Sequence, residues 1–190
     1  MRAICASFAL QINRMANDYL HSAIGQFRQY RALAEKTFAQ LTDEQLFWQY
    51  NEASNSIGTI VKHLRGNMLS RWTDFLTTDG EKEWRVRDEE FVNDINSREA
   101  LLRQWNEGWD CLLGALEGLT EDDLGKTIYI RNEGHSVTEA INRQLTHYAS
   151  HVGQIIFIGK MLAGDQWKSL SIPRGQSTQF NQSMFSRPKE

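Results

Sequence analysis

Proline is nearly missing from this chain. Only Pro173 and Pro188 occur among 190 residues, so the first 170 hold no proline to break or kink a helix. Cysteine is as scarce. Cys5 and Cys111 form no metal-binding or redox pattern, and such usage fits a reducing compartment and a cytoplasmic location. No apolar run approaches the roughly 20 residues of a membrane span, so no membrane partner is expected. Neither sign of charge dominates: 21 basic residues face 24 acidic ones, a net charge of -3, which argues against a general nucleic-acid binder with its basic surface. Six tryptophans are many for this length, but they are scattered, as core or pocket wall would be.

What remains is helical periodicity. Residues 12–40 repeat apolar positions at three- and four-residue steps, with Tyr19, Leu20, Ile24, Phe27, Leu33, Ala34 and Phe38. Thr42 and Gln45 stand at capping-box spacing and predict a short helical turn. Ser56 can cap a second long helix, with Ile57, Ile60, Val61, Leu64, Met68, Trp72 and Phe75 as its stripe. The charged stretch 81–93 holds Trp84, Val86 and Phe91, which predicts an ordered loop with Trp84 and Phe91 partly buried. A third helix over 97–118 carries Leu101, Trp105, Trp109, Leu112 and Leu116, with Asn96 and Glu99 at capping-box spacing. Alternation at 127–131 and a turn at Asn132-Glu133-Gly134 suggest a small hairpin. Ser136 and Glu139 cap a fourth helix that runs to about Leu162, and Gly164 stops it.

The acidic turn Leu41-Thr42-Asp43-Glu44-Gln45-Leu46 is echoed by Leu119-Thr120-Glu121-Asp122-Asp123-Leu124. Two helical hairpins of similar design would explain the echo, with the long link between the second and third helices as a crossover. Four antiparallel helices around one core are the simplest way to bury four stripes, so an all-α four-helix bundle is expected over 15–165. Residues 1–14 carry a short apolar run after Arg2, without a clear cleavage site. They are read as a helical extension, or as an upstream start with Met15 as the usual first residue. Residues 166–190 are a polar tail whose Trp167, Leu170, Ile172 and Phe180 suggest partial packing on the body.

The residues that point to chemistry are histidines. His147 and His151 stand four apart, about 40° around an ideal helix, so both face one flank. That spacing suits two ligands of one metal ion. Protein zinc sites use three or four ligands, and His63 on the second helix is the best third. All three fall off the centre of their apolar stripes, which predicts a site at the rim, open to solvent. Tyr148 stands where a zinc-peptidase His-Glu-x-x-His motif needs glutamate, which argues against peptidase chemistry. His21 reads as surface or core edge, and His135 as structural.

Four stretches carry a resemblance. Asn55-Ser56-Ile57-Gly58-Thr59-Ile60-Val61-Lys62-His63-Leu64 resembles the second-helix signature of the DinB-like (YfiT-like) superfamily, and His147-x-x-x-His151 its last-helix signature. The segment 71–82 and the tail Leu170-Ser171-Ile172-Pro173-Arg174-Gly175 resemble one bacterial branch more narrowly. The resemblance runs from about Met15 to Phe180. It implies a four-helix bundle with a divalent metal, zinc or nickel, on His63, His147 and His151, and a homodimer. Some relatives are transferases or isomerases that use low-molecular-weight thiols.

A three-ligand site leaves coordination positions open, as catalytic zinc sites do. With the resemblance, which implies thiol chemistry, the enzyme reading is a metal-dependent thiol S-transferase acting on a small-molecule substrate. Asn67, Gln144 and Tyr148 are candidate pocket residues near the ligands, and Arg71 and Arg65 could meet an anionic thiol carboxylate. The alternative is a non-catalytic metal-binding or stress-related interaction bundle. In a third reading the histidines bind nothing.

Overall fold

Short polar side chains, Thr42, Ser56, Ser97 and Ser136, start four of the helices. In the computed structural model, which describes residues 2–188 and side chains from Tyr19 onward, six α-helices and one two-stranded sheet make up the chain. Helix α1 spans Arg2–Phe38, so the segment set apart as an extension runs on in the same helix. Helix α2 (Asp43–Phe47) has the full Thr42/Gln45 capping box, and α3 (Ile57–Trp72) is capped by Ser56. Helix α4 (Arg98–Glu117) is capped by Ser97 rather than Asn96. Helix α5 (Val137–Ala163) has the Ser136/Glu139 box, and α6 (Ser177–Phe185) closes the tail. Each cap satisfies amide protons that a helix start leaves without partners, which is worth about 1 kcal/mol apiece. Among the described residues no helix is long and apolar enough to cross a membrane.

The four long helices do not alternate in direction, and this corrects the antiparallel expectation. Helix α1 packs chiefly along α5, and α3 along α4. Tyr19 bonds Asn142 at one end, and Thr37 meets Gly159 at the other, so α1 and α5 run parallel. Arg65 pairs with Glu107, and Thr73 lies beside Cys111, so α3 and α4 run parallel too. Arg28–Glu117 and Trp105–Glu35 contacts set α1 against α4 in the antiparallel sense. The two helices of each sequence half are therefore not partners in a hairpin.

The reason lies in the link between α3 and α4. It doubles back along α3: Ser70 Oγ donates to the Gly80 carbonyl, Glu90 reaches Gly66, and Ser56 Oγ donates to Asn93. The chain is thereby returned to the start of α3 before α4 begins, as a crossover requires. Gly108 lets α4 approach closely, since a Cβ there would stand 3.0 Å from Arg65 Cα.

The core is one cluster in which Phe27, Phe38, Trp105, Trp109 and Tyr148 meet edge-on or tilted. Strands β1 (Thr127–Ile130) and β2 (Glu133–Ser136) pair antiparallel. Arg131 and Asn132 make their turn, both at positive φ, one residue earlier than expected. The tail packs only as far as Leu170. Ile172, Phe180, Met184 and Phe185 are exposed, contrary to expectation for Ile172 and Phe180.

Candidate metal centre

His63 sits mid-way along α3, and His147 and His151 lie one turn apart on α5, which packs on α3. The three rings converge. His63 Nε2 is 3.4 Å from His147 Nε2, which is 3.1 Å from His151 Nε2. One ligand nitrogen from each lies within 4.8 Å of the others. Two imidazole nitrogens bound at about 2.05 Å with tetrahedral angles stand about 3.3 Å apart, so the spacing fits a shared metal ion.

The opposite ring nitrogens explain why the Nε2 atoms are free to ligate. His63 Nδ1 is 2.9 Å from Glu90 Oε2, His147 Nδ1 is 3.3 Å from Gln144 Oε1, and His151 Nδ1 is 3.2 Å from Gln154 Oε1. A carboxylate can only accept, so His63 donates from Nδ1 and its Nε2 carries a lone pair. The amide oxygens set the same tautomer on the other two. Three lone pairs then face one point, which repel unless a cation lies among them. Burial lowers the His147 pKa to about 3, with His151, His63, Arg71 and Arg143 adding repulsion. Burial, and then His63, also lowers that of His151. Both are neutral at pH 7, the form that binds metal.

Glu90 is the residue that the sequence reading did not single out. It follows two other acidic residues, Asp88 and Glu89, and nothing in their order marks the third. Its side chain is 8% exposed and that of Arg85 is 2% exposed. Arg85 Nε donates to Glu90 Oε1 at 2.7 Å and Nη2 to Oε2 at 3.0 Å. Burial pushes the Glu90 carboxyl up, but hydrogen bonds from His63 and Arg85 and the Arg85 charge outweigh it and hold it below its usual range. Gly66 makes the approach possible: a Cβ there would stand 2.2 Å from Glu90 Oε1. A buried carboxylate behind a metal-facing histidine fixes ring orientation and basicity.

The link that brings Glu90 also buries His63, which is 6% exposed rather than open at the rim as expected. Phe91 stacks on its ring at 5.1 Å. His147 and His151 remain half-buried. Trp84, expected to be partly buried in this link, is 57% exposed. Arg85 and Glu90 hold the segment instead.

A cavity of about 620 Å³ opens beside the histidines. Asn67, Arg71 and Gln144 line it. Tyr148 does not, which corrects its assignment to the pocket. It is fully buried, with its hydroxyl donating to Asn67 Oδ1 at 3.0 Å and accepting from Trp72 Nε1 at 3.3 Å. It therefore holds Asn67 from behind. Arg65 points elsewhere and pairs with Glu107. Arg71 is buried against Glu81 and the Gly80 carbonyl. Asp79 accepts from the backbone of Glu81, Arg131 and Asn132 at 2.7–2.8 Å, which ties the hairpin turn to the link. Those bonds hold Arg131 at φ 57°, a conformation costly without glycine, and its side chain lines the cavity.

Residues 14–176 match the model of a family described as "Protein of unknown function (DUF1572)". No curated protein matches the chain.

Proposed function

We propose that this chain, which belongs to the DUF1572 family, is a divalent-metal protein of the DinB-like four-helix-bundle type and a metal-dependent thiol S-transferase. His63, His147 and His151 would hold zinc or nickel. The observation that carries the reading is the convergence of three Nε2 lone pairs, each fixed by a bond at the opposite nitrogen. When bound, the metal supplies stabilisation of a thiolate at neutral pH. The chain's own residues do the rest. Glu90 holds the His63 tautomer, Gln144 that of His147, and Asn67 presents an amide to the cavity from a position locked by Tyr148.

Among the described residues no carboxylate lines the cavity beside the histidines. Three neutral ligands without an acidic fourth leave room for an incoming group, as in catalytic rather than closed structural sites. This favours the transferase over a non-catalytic metal-binding bundle. The test is metal analysis of protein purified without a histidine tag, followed by incubation of the loaded protein with a small thiol and an alkyl halide. Near-stoichiometric metal and metal-dependent thiol consumption are expected. Metal without thiol consumption leaves the non-catalytic reading, and no metal removes both.

The same reading includes a homodimer. A groove of about 710 Å³ between α2–α3 and α5 is lined by Trp48, Ile60 and Ile158 together with the exposed Tyr50, Phe157 and Met161. Apolar surface of this kind favours a protein contact.

A further inference from the structure

The charge lining the histidine cavity is unbalanced, and the imbalance is local. Five arginines reach it: Arg71, Arg85, Arg87, Arg131 and Arg143. Two carboxylates answer three of them. Glu81 pairs with Arg71, Arg85 and Arg131, and Glu90 pairs with Arg85 and is shared with His63. Arg87 and Arg143 have no carboxylate partner among the described residues; Arg87 lies over the Phe91 ring at 5.0 Å. The lining thus carries three positive charges beyond its paired acids, in a chain whose net charge is -3. A concave, cationic site with low-dielectric walls focuses field and gathers anions.

The two unpaired arginines flank the histidines from different elements. Arg143 is one turn before His147 on α5 and adds to the repulsion that keeps that ring neutral. Arg87 sits in the link beside Phe91, which stacks on His63. These two border the same cavity from different elements of the fold.

We propose that Arg87 and Arg143 form an oxyanion subsite next to the three histidines, so that the small-molecule ligand of this cavity carries a carboxylate or phosphate group. Guanidinium forks match both groups geometrically. The inference deepens the functional reading above in naming the chemical class of the ligand, but the arginines and the cavity exist without metal, so it can be tested without metal.

The experiment titrates metal-free, full-length protein with inorganic phosphate and, separately, with malonate, followed by amide and arginine side-chain NMR shifts. Saturable shifts at Arg87 and Arg143 are expected for at least one anion, and the responding anion identifies the group. The double variant Arg87→Gln/Arg143→Gln should weaken that binding about tenfold, as loss of two charge-assisted contacts implies. Arg65→Gln/Arg103→Gln removes the same net charge outside the cavity and should leave binding unchanged. Equal weakening in both double variants reduces the effect to net charge and overturns the subsite, as does the absence of saturable shifts with either anion. Zinc binding by the three histidines is measured on the same variants. Anion binding without zinc binding keeps the subsite and removes the metal reading; zinc binding without anion binding does the reverse.

Discussion

Replacing Glu90 with glutamine tests the centre at its least visible residue. The carboxylate accepts from His63 Nδ1 at 2.9 Å and from Arg85 at 2.7 and 3.0 Å. Glutamine has one acceptor oxygen and one donor amide. If the oxygen turns to Arg85, the amide faces the His63 Nδ1 proton, donor against donor. The cheapest relief moves the His63 proton to Nε2, where it occupies the position that a metal needs. If the oxygen turns to His63, buried Arg85 loses its close carboxylate partner and keeps only Glu81 at 3.6 Å. Breaking a buried ion pair from one side costs about 3–5 kcal/mol, and the remaining Glu81 contact places this case at the low end, about 3. For a chain of this size that lowers the melting temperature by roughly 6–12 °C. Loss of such a supporting carboxylate typically weakens metal binding about 10–100-fold. The assays are calorimetric melting in chelator and zinc competition against a chromophoric chelator. Glu89→Gln, an exposed neighbour, is the control and should change neither. A Glu90→Gln protein that melts lower yet binds zinc within twofold of the parent would show that Glu90 braces the link without setting the His63 tautomer.

Gly66→Ala should mimic Glu90→Gln, because the new Cβ meets the carboxylate at 2.2 Å; a higher melting temperature, as alanine gives in an ordinary helix interior, would refute that contact. His147→Ala should keep its helical circular dichroism and lose zinc, and retained stoichiometric zinc would remove the site. On acidification, an unfolded imidazole takes a proton near 6.5, while folded His147 resists until about 3. The unfolded state therefore binds more protons below pH ~6.5, and metal-free protein should lose stability steadily from there toward pH 4. Zinc release should have its midpoint below 6.5 for the same reason, and a midpoint at or above 6.5 in a pH titration of occupancy counts against the depressed pKa. Light scattering at micromolar concentration should give twice the 22.0 kDa chain mass; a monomer mass removes the dimer.

Much of the local structure is readable from neighbours in the chain. Thr42, Ser56 and Ser136 announce helix starts because a cap needs only a side chain and an amide three residues on. His147 and His151 announce a shared face because helical pitch fixes it. His63 is indicated only by its place on the second helix and by the resemblance, and the structure brings it to the pair. The hairpin turn falls one residue before the place that the sequence suggests because Arg131 adopts positive φ under the grip of Asp79, 52 residues earlier.

By itself, then, the sequence determined that the chain is helical, where its long helices run, and that His147 and His151 share a face, since periodicity, caps and four-residue spacing are local properties; that His63 joins them is a tertiary outcome. Tertiary structure alone decided helix direction, because nothing within α3 or α4 records that the link between them doubles back. The same fold-back decided that His63 is buried, that Glu90 rather than Asp88 or Glu89 stands behind it, and that Arg87 borders the cavity with Arg143. It also turned Tyr148 inward to hold Asn67, although the residue sits beside His147 in sequence: a helix presents successive residues about 100° apart, and only packing says which of those directions is core.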